Sequence, residues 1–77
     1  MLQPPRHTYP VKVFWDADDG GFIAIAPDLP GCSAFGQTQE EAVRELQDAV
    51  DAWIEGAKAA GNPVPAPSPW HPVITTD

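Results

Sequence analysis

The sequence predicts an α+β fold: a three- to four-stranded, mainly antiparallel sheet with one long helix packed on one face, in the order β-β-β-α-β. Three observations predict it. An aromatic and β-branched run is broken by an acidic, glycine-ended turn and then resumes as a second apolar run; a helix start is followed by apolar residues confined to one stripe; and strand-like residues reappear near the end, beyond a proline-rich connector.

From Thr8 to Trp15 the side chains alternate, with Tyr9, Val11, Val13 and Trp15 on one side and Lys12 and Phe14 on the other, as a first strand requires. The segment Asp16-Ala17-Asp18-Asp19-Gly20-Gly21 supplies residues that tolerate positive φ, and Phe22-Ile23-Ala24-Ile25-Ala26 completes a β-hairpin. Pro27 ends it, because proline cannot donate to a ladder. A short third strand is expected around Cys32 to Phe35, entered through Asp28-Leu29-Pro30-Gly31 and left at Gly36.

Thr38 and Glu41 have the Ser/Thr-x-x-Glu spacing in which each side chain satisfies the other residue's free backbone N–H. The helix they open should run from Gln39 to about Ala60. Ala42, Val43, Leu46, Ala49, Val50, Trp53, Ile54 and Ala57 fall within an arc of roughly 140° at 100° per residue, the width of one buried stripe. Glu40, Glu41, Arg44, Asp48, Asp51, Glu55 and Lys58 take the opposite face, with acids early and Lys58 in the last turn, as the helix dipole favours. Gly61-Asn62-Pro63 closes the helix. Residues 63–72 alternate proline with small residues and read as an extended connector with Trp70 as its large apolar anchor, and 73–76 reads as an edge strand. One domain over residues 1–77, with its core at about 8–61, accounts for the whole pattern.

Seventy-seven residues bury only about two-thirds of the surface that the unfolded chain exposes, so a single core is marginal and subunits that share one are expected, as a dimer or tetramer. Four basic against eleven acidic side chains give a formal net charge of −7. Nucleic-acid affinity depends on Lys and Arg displacing counterions from phosphates, so direct nucleic-acid binding is not expected and a basic partner is more natural; acidity also serves solubility. The single Cys32 cannot form an internal disulfide. With neither a signal-peptide pattern at the N-terminus nor an apolar run approaching a membrane span, the expectation is a cytoplasmic protein with no membrane partner.

Catalytic and metal constellations are tested and set aside. Asp16, Asp18 and Asp19 alternate as in a calcium loop, but the twelfth position, which needs a bidentate acid, is Pro27. Cys32 follows a Pro-Gly turn, yet His7 and His71 lie in the terminal segments, and a cysteine of this kind reads as a small buried apolar residue. The glycines form neither a phosphate loop nor a dinucleotide fingerprint. No enzyme, cofactor or metal is therefore expected. Trp53, mid-stripe, is expected to pack on the sheet, and Trp70 either on its own domain or on another subunit.

The run Ala26-Pro27-Asp28-Leu29-Pro30-Gly31-Cys32-Ser33-Ala34-Phe35-Gly36-Gln37-Thr38-Gln39-Glu40-Glu41-Ala42, with the Asp19-Gly20-Gly21 turn before it, resembles the N-terminal domain of HicB-like antitoxins over most of residues 9 to 60. The resemblance implies a partial ribonuclease-H-like fold and its strand order. Nuclease chemistry is not carried over, because Val11, Val13, Ile23 and Ile25 occupy the strand positions that would present metal-binding acids. It also implies a protein-binding module that neutralises a small basic, mRNA-cleaving toxin of the HicA type by covering its active site. Members commonly add a C-terminal DNA-binding domain. None follows within this sequence, so DNA binding and autorepression are not carried over. The residues expected to meet a basic partner are Asp48, Asp51 and Glu55 on the helix, with Trp70; a plainly solvated face is the competing reading of the three acids. The rival function is a stand-alone oligomeric domain with a small-molecule-binding or structural role and no toxin partner. A neighbouring reading frame for a small basic protein with a catalytic histidine would separate the two.

Overall fold

The computed structural model describes residues 7–68; Trp70, His71 and the strand expected at 73–76 lie outside them. Three strands, β1 (Lys12–Asp16), β2 (Gly21–Ile25) and β3 (Ser33–Gly36), precede one helix, α1 (Gln39–Ala59). Both strand pairs are antiparallel and the order is β1-β2-β3, so β2 is central. The α+β arrangement is the one expected.

Boundaries differ where backbone donors are missing or already used. β1 begins at Lys12, paired with Ile25, rather than at Thr8; Pro10, just upstream, has no N–H for a ladder. β3 begins at Ser33 rather than Cys32, whose N–H is held by Leu29 O within the preceding turn at 3.0 Å. The hairpin closes through Gly20 N–H to Asp16 O at 2.9 Å, with Gly20 at φ 69 where side-chain-bearing residues are strained. The Asp16 carboxylate accepts the Asp18 N–H at 3.0 Å, so this acid serves the turn.

Thr38 caps α1 as expected, its Oγ1 accepting the Glu41 N–H at 3.0 Å. The reciprocal bond is displaced by one residue, since the Glu41 carboxylate takes the N–H of Gln37 rather than that of Thr38. At the other end Asn62 N–H reaches Ala57 O at 2.8 Å and Gly61 N–H reaches Lys58 O at 3.1 Å, the paired bonds of a Schellman stop.

The core lies between one face of the sheet and the stripe of α1. Ala24, Ala26, Leu29, Cys32, Ala42, Leu46 and Val50 are buried, with Tyr9, Val13, Phe22, Ala34, Ala49, Trp53 and Ile54 packed around them. Small residues on the sheet let the helix approach. At Gly36 the approach is closest: a Cβ there would lie 2.3 Å from Ala42 N and 2.8 Å from Ala42 Cα. Trp53 packs against the buried cluster, and its indole N–H donates to Pro30 O at 2.9 Å, tying mid-helix to the Pro-Gly turn.

Candidate protein-binding surfaces

Asp48, Asp51 and Glu55 project from α1 at spacings of three and four residues, on the side away from the sheet. Asp48 and Glu55 are exposed. Asp51 is half-buried, because His7 Nε2–H donates to its Oδ1 at 2.5 Å. The N-terminal segment thus lies over the middle of the acidic face, a contact that no local pattern announces, since the two residues are 44 apart in sequence. Tyr9, whose ring centroid lies 6.4 Å from that of His7, donates its hydroxyl to Pro65 O at 2.5 Å. Trp70 lies outside the described residues, so only the three helical acids are brought together.

The connector is held by a residue that sequence reasoning passed over. Asp28, in the turn after β2, accepts the backbone N–H of Ser68 at 2.7 Å and its hydroxyl at 2.8 Å. The Asp-Leu-Pro-Gly turn therefore supplies an anchor for the chain after α1 as well as a change of direction.

Cys32 is buried, and burial pushes its thiol above the ordinary range by withholding the solvation that a thiolate needs. Among the described residues, no three His, Cys, Asp or Glu side chains gather where they could hold one metal ion. No helix among them is long and apolar enough to cross a membrane.

A second surface is apolar. Paired residues point to the same side, so Val13, Ala24 and Ala34 face α1 while Phe14, Ile23 and Phe35 form a row on the outer side. Phe14 and Phe35 are 41% and 40% exposed, and no element of the described residues covers them. The Phe35 ring lies over Gly21, where a Cβ would meet its Cζ at 2.2 Å. Beside it, Asp19, Ile23, Ser33, Ala34 and Phe35 line an open groove. Trp15, at the end of β1, is 57% exposed and packs edge-on against Phe22 at 5.2 Å. The signal for this outer row was the run Phe22-Ile23-Ala24-Ile25-Ala26, apolar at every position where a one-sided sheet would alternate.

The stretch that holds the hairpin, the Pro-Asp-Leu-Pro-Gly turn and the capped helix is also the stretch that known proteins share in sequence. The family model described as "HicB_like antitoxin of bacterial toxin-antitoxin system" matches residues 9–76. A UPF0150 protein of Synechocystis is 36% identical over 66 residues, 84% of each chain. A second UPF0150 protein of that organism is 40% identical over 58 residues, covering 75% of this chain and 78% of the relative. A UPF0150 protein of Thermoplasma acidophilum is 35% identical over 48 residues, 62% of this chain and 70% of the relative. No solved structure matches. With the match extending from Tyr9 past the helix and through the connector, the chain belongs to the HicB-like antitoxin family of bacterial toxin–antitoxin systems.

Proposed function

We propose that this chain is a non-enzymatic, cytoplasmic antitoxin module that neutralises a small basic, mRNA-cleaving toxin of the HicA type by binding it. The observation that carries the reading is the net charge of −7 in a chain of an antitoxin family: a surplus of acid suits a partner that must itself be basic to hold RNA. Asp48, Asp51 and Glu55 are the acids assigned to the contact, and Trp70 is its apolar anchor. His7 holds Asp51 in one orientation, which favours a shaped contact over a loose cloud of charge. No cofactor, metal or direct contact with nucleic acid is part of this reading, and self-association into a dimer or tetramer is.

The test is stopped-flow binding of the neighbouring toxin to the wild-type chain and to the triple variant Asp48→Asn, Asp51→Asn, Glu55→Gln. Complementary charge acts mainly on the association rate and is screened over about 8–10 Å at ordinary ionic strength, so association should slow with added salt and with the substitutions. A thermal melt of the variant controls for the loss of the His7 contact. Rates indifferent to both salt and substitution would remove the electrostatic assignment; toxin cleavage undiminished by excess chain would remove the antitoxin reading. The row of Phe14, Ile23 and Phe35, which no element of the described residues covers, favours a second reading, a stand-alone oligomeric domain with a structural or small-molecule-binding role, and in that case no neighbouring toxin responds at all.

A further inference from the structure

We infer that the outer face of the sheet is where two copies of this chain meet, stacked face to face about a two-fold axis that runs across the strands. The inference rests on the self-association proposed above and names its surface. The face is apolar at its centre, with Phe14, Ile23 and Phe35 in one row and Ile25 beside them, whereas an antiparallel sheet with a solvated face ordinarily carries polar residues there.

Its charges choose the occupant. Lys12 stands at one end of β1, its Nζ 6.0 Å from the centre of the Phe14 ring, and Asp16, which keeps its charge while its Oδ1 accepts the Asp18 N–H, stands at the other end of the same strand on the same face. A two-fold axis across the strands lays β1 over β1 of the second copy with direction reversed. Lys12 of each copy then opposes Asp16 of the other, and the pair forms twice while the apolar rows stack between them. An axis along the strands instead sets Lys12 over Ser33 and gains no charge pair. The acids of α1 lie on the far side of the layer and do not enter the contact. The outer face carries both signs of charge, Lys12 with Asp16 and with Asp19 at the edge of its groove, and a copy of itself answers both, whereas the acidic side of α1 offers one sign only.

Light scattering and sedimentation equilibrium of the full chain test the inference, each variant first checked for a native circular dichroism spectrum. The wild type should have twice the chain mass or a multiple of it. Ile23→Asp, which puts a charge at the centre of the row, should be monomeric; should it fail to fold, Phe14→Ser on the edge strand serves in its place. Lys12→Glu, which sets like charges opposite each other twice, should weaken association by about tenfold or more, and Lys12→Glu with Asp16→Lys should restore it. A monomeric wild type overturns both self-association and this surface. An oligomer indifferent to Ile23→Asp and Lys12→Glu overturns the surface alone and leaves self-association standing. Failure of the double variant to recover association while it remains folded overturns the two-fold arrangement.

Discussion

Gly36→Ala is the substitution for which the fold makes its sharpest demand. A methyl group there would lie 2.3 Å from Ala42 N, 2.8 Å from Ala42 Cα and 2.8 Å from the Glu41 carbonyl carbon, all of them backbone atoms of the first turn of α1. No side chain can swing aside. Restoring a comfortable separation of roughly 3.5 Å means moving the start of the helix by about 1 Å away from β3. Overpacking of this kind costs about 1–3 kcal/mol, and strain on the Thr38 cap two residues on adds up to about 1 kcal/mol. At about 4–8 °C per kcal/mol for a domain this size, a loss of some 1–4 kcal/mol lowers Tm by roughly 4–30 °C. The matched control is Gly56→Ala: Gly56 is an exposed residue of α1 whose added methyl would meet nothing within 4 Å. That change should stabilise by about 0.5–1 kcal/mol, because alanine loses less freedom than glycine in a helix. Urea melts followed by helical circular dichroism, at one protein concentration so that association contributes equally, compare the two. If Gly36→Ala melts with Gly56→Ala, the close seating of α1 on β3 is refuted.

Thr38→Ala should cost about 1 kcal/mol through the cap, and Leu46→Ala, fully buried under the sheet, roughly 2–5 kcal/mol through the cavity it leaves; denaturant melts that placed both at wild type would mean that the buried stripe lies elsewhere. Cys32 should react with a soluble disulfide reagent far more slowly in the native chain than in urea, and equal rates would contradict its burial. Because its folded thiol is shifted upward, Cys32 contributes stability that is present below the ordinary thiol range and is lost as pH rises through the alkaline range, a component that Cys32→Ala should lack. The chain alone should neither cleave a fluorescent RNA nor shift duplex DNA in a gel at physiological salt, and sub-micromolar DNA binding would reveal a basic patch built by assembly.

The sequence by itself determined the elements whose causes are local. The Asp16–Gly21 turn, the Thr38 cap and the Ala42–Leu46–Val50 stripe are patterns of a few residues, and each produced its hairpin, helix start or buried face where expected. The spaced prolines and glycines of the 26–42 run carried the family resemblance for the same reason, since turn chemistry depends on the residues in the turn. What only the tertiary structure decided depends on partners far along the chain. That Asp51 is held by His7, that Asp28 anchors Ser68, and that Gly36 must lack a side chain because Ala42 lies against it are consequences of how elements dock, and periodicity carries no information about docking. The outer face of the sheet belongs between the two. An unbroken apolar β2 announces that both of its sides are meant for burial, but only the packed molecule shows that, among the described residues, one helix covers one side and Phe14, Ile23 and Phe35 lie on the other.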